Sequence, residues 1–517
     1  MGGANNVRAL LEVYNPWWTD RNWDKKDPLL GAFRKSIFKD KPRLFHHIKK
    51  NICRPNIYGI ITIRGPRRVG KSTLLKLLIE FLIKKKGVDP RSIYYISLDY
   101  EGLKDIKLFN LLHAIARSSP NEKYVFLDEV SMHPDWARAL KNLYDAGLIE
   151  AGKMKIVASG SHSMDLAEAV SELRGRQGAL ARYFNVGGNL VQLPLRFVEV
   201  VEAIRGEIRD LFSRHKLRTP KSRFEILTQL TQGNIPQIIW EVYDKYKVLL
   251  EATFENYLIH GGYPLAAHKY YETGTIPPDL YSNLAELVIN DSEKAKLYPG
   301  NLKSLLMHLT EPMRLSSIVN FESIDVIGFD EKAKARKMPG LRDYIEYLRT
   351  TWTFFFSYRE EGESESCIPN PREGVKNYVL DPFLYHALYS YLRNIPNPFS
   401  ASKELVRDTS FKGLLVESVI ASHLLLSQQL FERVSSVDYT KVLMYRRAPH
   451  GDKEKETDFV LCIRKGNQNY RFIIESKYRE SPSHVVPEQG KIVLTKDKLD
   501  VKNGMAYVPV PVFLLLF

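Results

Sequence analysis

Ile60-Ile61-Thr62-Ile63-Arg64-Gly65-Pro66-Arg67-Arg68-Val69-Gly70-Lys71-Ser72-Thr73 is the stretch that decides the fold of this 517-residue chain. A run of β-branched residues enters a glycine-framed turn, and residues 72–86 then carry apolar side chains at helical spacing. The turn satisfies G-x-x-x-x-G-K-[ST] at every fixed position. A glycine turn can match by chance, but here a predicted strand precedes it and a predicted helix follows, as the pattern requires. Glycine lets the backbone curl so that successive N–H groups point at phosphate oxygens, and the helix start adds the positive end of its dipole. Gly65, Pro66, Arg67, Arg68, Val69, Gly70, Lys71, Ser72 and Thr73 therefore form the expected nucleotide cradle. Lys71 is expected to reach the β- and γ-phosphates and the Ser72 hydroxyl to hold Mg²⁺, with ATP as the nucleotide.

Further strands lie at 92–98, 124–127 and 155–158, with a helix at 135–148 between the last two. Strands alternating with helices predict a parallel sheet covered on both faces. The third apolar run ends in Asp128-Glu129. Asp128 is placed to hold Mg²⁺ through water, and Glu129 to polarise the attacking water. Such a pair is common by itself; about sixty residues after a phosphate loop it gains weight. Ser159 ends the fourth strand, where it either senses the γ-phosphate or merely caps a turn. Asp99 ends the second strand on the same sheet edge and is the weaker candidate. Arg174-Gly175-Arg176 reads either as a solvated loop or as an arginine finger offered to a neighbouring subunit.

Length alone predicts two to four domains. Apolar residues make up 44% and charged residues 26%, which is globular. The net charge of +15 favours a polyanionic partner, nucleic acid or an anionic membrane surface. Cys53, Cys367 and Cys462 are too few and too scattered for a disulfide framework or a zinc ribbon, so a reducing cytoplasm is expected. No stretch reads as a signal peptide or a membrane span.

Residues 1–57 form a lead-in in which Trp17, Trp18 and Trp23 read as packing anchors, ahead of base stacking. The segment after 204 is helical and basic, with Arg205, Arg209, Arg214, Lys216, Arg218, Lys221 and Arg223 against only Glu207 and Asp210. Short helices followed by an aromatic strand at 352–358 fit a winged helix. Lys332, Lys334, Arg336, Lys337, Arg342 and Arg349 lie near its recognition helix. These cations would give salt-dependent DNA affinity without reading sequence, although a charge run is also what any solvated face presents.

The tail carries a second α/β pattern, with strands at 441–446, 457–464, 470–476, 492–495 and 508–516. Asp458 sits on one strand, and Glu475 and Lys477 share a face of the next. Two carboxylates there suit Mg²⁺ or Mn²⁺, with Glu417 of the preceding helix as a further ligand and Lys477 orienting water. The alternative is a nuclease fold kept only as a DNA-binding or assembly scaffold.

The run 63–73, then Leu127-Asp128-Glu129-Val130, Trp136, Ser159-Gly160-Ser161, Gly175-Arg176, Leu193-Pro194-Leu195-Arg196-Phe197 and Gly261-Gly262-Tyr263-Pro264 resembles the archaeal and bacterial AAA-type ATPases. In that family the ATPase is joined to a C-terminal domain with a PD-(D/E)XK restriction-endonuclease-like core. Thr457 stands where that motif usually has Pro, and Arg196 where the family more often has a small residue. The resemblance implies an AAA-type α/β parallel sheet over 58–204, a helical lid over 205–290, a winged helix over 291–377 and a nuclease-like α/β domain over 378–517. It implies Arg176 rather than Arg174 as the finger. It also implies a homo-oligomer, with a hexamer as one candidate, that hydrolyses ATP and binds, remodels or translocates on DNA. A nucleotide-dependent switch with a scaffold-only nuclease fold and an ATP-gated nuclease are the rival expectations.

Overall fold

The computed structural model describes residues 11–103, 106–161, 173, 175–184, 187–215, 217, 219–320, 339–361, 367–425, 441–450, 453–478, 485 and 488–517. Two compact units are present, one built on Met1–Leu193 and one on Pro194–Glu432 with Val437–Phe517. The division falls at Pro194, upstream of the expected 204/205 boundary.

In the first unit, helices α1 (Pro28–Lys35) and α2 (Arg43–Ile52) precede β1 (Gly59–Arg64), α3 (Lys71–Lys86), β2 (Ile93–Ser97), α4 (Leu108–Arg117), β3 (Lys123–Asp128), α5 (Trp136–Asp145), β4 (Met154–Ser159) and β5 (Asn189–Val191). The five strands form a sheet in the order β2-β3-β4-β1-β5, and every pairing is parallel. The chain crosses from β1 to β2 over two strand positions that β3 and β4 later fill. Strands of this kind are apolar on both faces because helices cover both. Accordingly Ile60, Ile61 and Ile63, Val125, Phe126 and Leu127, and Ile156, Val157 and Ala158 are all buried. Helix α3 buries Leu74, Leu75, Leu77, Leu78, Ile79 and Leu82, and ends at Gly87 in the left-handed region with Lys84, Lys85 and Lys86 in its last turn.

The lead-in serves as an edge cover. Strand β2 lies at the border of the sheet, where unpaired backbone groups invite aggregation. Asn15 closes two bonds with Tyr95, accepting from its N–H at 2.6 Å and donating to its carbonyl at 3.1 Å. The Trp17 and Trp18 indoles both donate to the Ile93 carbonyl, at 3.2 and 2.9 Å.

In the second unit, helices α6 (Phe197–Ile204), α7 (Gly206–Arg214), α8 (Pro220–Thr231), α9 (Gln237–His260), α10 (Pro264–Thr273), α11 (Pro278–Lys294) and α12 (Pro299–Leu309) lead into β6 (Ile318–Val319), α13 (Leu341–Thr350), β7 (Phe354–Glu360), β8 (Pro369–Asn370) and β9 (Val375–Val379). Then follow α14 (Pro382–Leu392), α15 (Pro398–Arg407), α16 (Thr409–Leu425), β10 (Leu443–His450), β11 (Lys453–Lys465), β12 (Gln468–Lys477), β13 (Lys491–Thr495), β14 (Asp500–Lys502) and β15 (Met505–Pro509). The strands join in one sheet, β14-β15-β13-β12-β11-β10-β7-β9-β6, with β8 beside β7. Helix α16 packs on β9, β10 and β11, and α8 on β12, β13 and β15.

In the segment expected to be a winged helix, β6 pairs antiparallel with β9 and β9 antiparallel with β7, while β7 also pairs in parallel with β10, so these strands continue into the tail's sheet. Phe354, Phe355 and Phe356 of β7 are all buried. The stretch holding Lys332, Lys334, Arg336 and Lys337 lies outside the described residues.

Leu195 of the Leu193-Pro194-Leu195 run meets Gly262 of Gly261-Gly262-Tyr263-Pro264 within this unit as a packing contact. The Leu195 N–H donates to the Gly262 carbonyl at 2.7 Å, and the Tyr257 hydroxyl to the Leu195 carbonyl at 2.9 Å. A Cβ on Gly262 would lie 1.9 Å from the Leu195 carbonyl oxygen, so only glycine fits. The cysteine expectation is also revised. Cys367 and Cys462 are joined by a disulfide across 95 residues, with Cα atoms 6.1 Å apart. Sequence distance hid a pair that the sheet brings together.

Candidate active site

The first candidate site gathers at the carboxyl ends of β1, β3 and β4. Register fixes this: Ile63 is level with Ser159, and Ser97 with Asp128. Beyond β1 the backbone takes left-handed values at Arg68 (φ 64°) and Gly70 (φ 91°), and Gly65 adopts φ 148°. A side chain at Gly65 is excluded outright, since its Cβ would stand 1.9 Å from the Gln192 carbonyl oxygen. The Lys71 ammonium is buried and donates to the loop carbonyls of Gly65 (2.9 Å) and Pro66 (2.8 Å).

Asp128 is buried and fully engaged. Its Oδ1 accepts from the Ser159 hydroxyl and from the Glu129 N–H (3.1 Å), and its Oδ2 from the Tyr95 hydroxyl at 2.7 Å. Burial, and next the Asp128 charge, push the Tyr95 phenol far above its usual range, so it stays a donor. Glu129 adopts φ 49°, and its Oε2 accepts from the Ser161 hydroxyl at 2.7 Å. The donor set fits magnesium nucleotide. A hydroxyl and a carboxylate supply hard oxygens, and the glycine loop stands at the start of a 16-residue helix.

Ser159 is thus brought directly onto Asp128. Asp99 is not: it is exposed and accepts from Ser97 at 2.6 Å. Tyr95 and the Ser161 contact with Glu129 were not singled out from sequence. Tyr95 reads as one more apolar strand residue, and only its level beside Asp128 reveals the bond.

Arg176 lies at the other end of the sheet. The next residue, Gln177, accepts from the N–H of Ile60 at the start of β1 (2.8 Å), whereas the phosphate loop follows the end of β1. The Arg176 guanidinium pairs with Asp145 at 2.9 Å and is 40% exposed. It therefore does not reach its own chain's phosphate loop. Arg174 lies outside the described residues.

The second candidate site lies in the tail's sheet. Phe459 pairs with Ile474, so Asp458 and Glu475 are neighbours on adjacent strands. The Ser476 N–H donates to Asp458 Oδ2 at 2.8 Å, and Lys477 pairs with Glu475 Oε1 at 2.7 Å. A residue absent from the sequence reading dominates the cluster. Lys376, on β9 and 2% exposed, places its ammonium 2.7 Å from Glu456, 2.8 Å from Glu417 and 3.2 Å from Asp458. Burial alone would lower its pKa, but Glu417, Tyr378, Asp458 and Glu456 together raise it well above the usual value. Burial raises the Glu417 carboxyl, against the opposing pull of Lys376. Burial opposes the charge on Lys477 as well, yet Asp458 and Glu475 raise its pKa, so it remains an ammonium rather than a base. Among the described residues no group of three or more His, Cys, Asp or Glu side chains is arranged to hold a metal. Where a divalent ion is expected among Glu417, Asp458 and Glu475, the Lys376 ammonium stands beside Glu417 and Asp458.

The basic run is partly interior. Arg223 is buried in α8 and is removed from the candidate DNA contacts. Arg209 donates to the Glu202 carbonyl at 3.2 Å, whereas Arg205, Arg214 and Lys221 are exposed. Arg342 is exposed, and Arg349 forms a two-pronged pair with Glu346. Lys216 and Arg218 lie outside the described residues.

Residues 58–200 match the sequence family described as the AAA domain. The match takes in all five strands of the first sheet, the phosphate loop and Asp128-Glu129. No curated protein matches the chain. Among solved structures, a variant of Thermotoga maritima RuvB is 16% identical, covering 64% of this chain and 88% of its own at a TM-score of 0.24. A second RuvB variant is 15% identical over the same shares, with a TM-score of 0.23. The Aeropyrum pernix ORC1 protein in complex with DNA is 12% identical, covering 71% of this chain and 92% of its own, with a TM-score of 0.22. Among the described residues no helix is long and apolar enough to cross a membrane.

Proposed function

We propose that the chain is an ATPase whose AAA domain hydrolyses ATP and whose action is directed at DNA. The observation that carries the reading is the convergence of the Gly65–Thr73 loop with the Ser159-Asp128-Tyr95 cluster at one sheet edge. When bound, Mg²⁺ neutralises charge on the β- and γ-phosphates. Lys71 adds a second cation there. Ser72 would hold the metal directly and Asp128 through water, Tyr95 and Ser159 fix the Asp128 carboxylate, and Glu129 would orient the attacking water. The Ser161 hydroxyl sets where Glu129 points.

Arg176 acts as a finger only on a neighbour's nucleotide, so the active form is a homo-oligomer. Its exposure, and its place at the end of the sheet away from its own phosphate loop, support this role. The +15 charge and the exposed Arg205, Arg214 and Lys221 support a polyanionic substrate, for which DNA remodelling or translocation is the reading. The rival in which the tail's fold is a scaffold gains support from Lys376 at its acidic cluster. ATPase rates with duplex, single-stranded and branched DNA test the reading, with Lys71→Ala as the blank. Stimulation by at least one DNA form that falls with rising salt is expected. Identical rates with every form would leave the regulatory-switch reading in its place.

A further inference from the structure

We infer that the Lys376 ammonium is the resident cation of the carboxylate cluster at Glu417, Glu456 and Asp458, and that this site takes no divalent metal. The inference is independent of the ATPase reading, because all four residues lie in the second unit.

The first argument is valence. An ammonium has three N–H donors and no acceptor. Lys376 meets one oxygen from each of three carboxylates at 2.7, 2.8 and 3.2 Å, so its capacity is matched. These are the distances of charge-assisted hydrogen bonds. A magnesium ion would instead draw oxygens in to about 2.0–2.1 Å in a near-octahedral shell.

The second argument is the state of the remaining oxygens. Asp458 Oδ2 is taken by the Ser476 N–H, Glu475 Oε1 by Lys477, and Tyr378 also donates to Glu417 Oε1 at 3.1 Å. Glu475 Oε2 is buried and makes no hydrogen bond, with the Lys491 ammonium 3.8 Å away. Each carboxylate a metal would need already faces a lysine of this chain.

The third argument is tethering. Lys376 sits mid-strand on β9, with Ile318 paired to it on one side and Ser357 on the other. A dissolved cation would have to displace a charge fixed at very high effective concentration. Expelling that ammonium would leave it 2% exposed and unpaired, which is costly. The domain is thus a scaffold whose acidic cluster is closed by its own lysine. The residues that would make it a metal-dependent nuclease serve as an internal ion-pair network.

The test uses the full chain without nucleotide. Mn²⁺ binding is followed by electron paramagnetic resonance, and site occupancy by Fe²⁺-driven backbone cleavage. In the unaltered protein no cleavage is expected around residues 417, 456–458 or 475, and Asp458→Asn is expected to leave Mn²⁺ binding unchanged. Lys376→Ala is expected to gain a Mn²⁺ site and cleavage at those positions, both lost again when Asp458→Asn is added. Iron cleavage at 456–458 in the unaltered protein, or Mn²⁺ binding lost in Asp458→Asn, overturns the inference. Those two readouts stand even where Lys376→Ala fails to fold. Mg²⁺- or Mn²⁺-dependent DNA cutting that Glu475→Ala abolishes also overturns it.

Discussion

The Tyr95 hydroxyl donates to Asp128 Oδ2 at 2.7 Å inside the first sheet, tying the second strand to the carboxylate that ends the third. The bond is made to a buried charge, where loss of one donor costs about 1.5–3 kcal/mol. Tyr95→Phe keeps the ring and removes only that donor. ATP hydrolysis is expected to fall on the order of tenfold, with a raised Mg²⁺ requirement. Steady-state rates titrated with Mg²⁺ check this, and an unchanged requirement would detach Tyr95 from the metal's carboxylate.

Glu129 is held by the Ser161 hydroxyl, which donates to its Oε2 at 2.7 Å. Glu129→Gln therefore leaves the nucleotide cradle whole. Hydrolysis is expected to drop by about 100-fold or more while ATP binding persists. Equilibrium binding of labelled ATP beside phosphate release separates the two.

Trp17 and Trp18 cover the backbone of the edge strand, so their loss is structural. Trp17→Ala is expected to destabilise the first unit by about 3–5 kcal/mol, as a large buried aromatic removed from a core does. DNA affinity measured below the unfolding transition is expected to be unaltered. Loss of DNA binding at full stability would favour the base-stacking role instead.

The second unit contains buried groups of opposite pH sense. Burial lowers His260 and His386 to about 4, while it raises Asp381 to about 7 against the N–H donors of Gly262, Phe383 and Leu384. Each histidine contributes stability above pH 6.5 that fades as pH falls toward 4, because the unfolded chain takes up the proton first. Asp381 works the other way: its contribution is present below pH 3.9 and is lost as pH rises through 7. Glu417, also raised to about 7, works with Asp381, so from pH 6.5 to 4.5 these two carboxyls offset the two histidines. Asp381→Asn removes one of the two offsetting contributions, so the variant loses more stability on acidification than the parent. Denaturant midpoints across the window measure it, and a shallower fall in the variant contradicts the assignment.

The phosphate loop, the Asp128-Glu129 pair and the alternating strands of the first unit are legible in sequence, because each is a local pattern with a local cause. What stayed hidden is non-local. Lys376 reads as one charge on a short strand; only tertiary folding brings it to Glu456 and Asp458 on β11. Arg223 reads as part of a basic face, yet helix phase turns it into the core. The aromatic strand at 354–360 reads as part of a local hairpin, yet it also pairs with β10, some ninety residues further on.

The most direct measurement is a single-turnover assay of labelled ATP with the full chain and Mg²⁺, following bound nucleotide and released phosphate together. The account predicts retention of ATP and release of phosphate by the unaltered protein, and neither by Lys71→Ala. A chain that neither retains ATP nor releases phosphate, or a Lys71→Ala variant that does both as well as the parent, contradicts it.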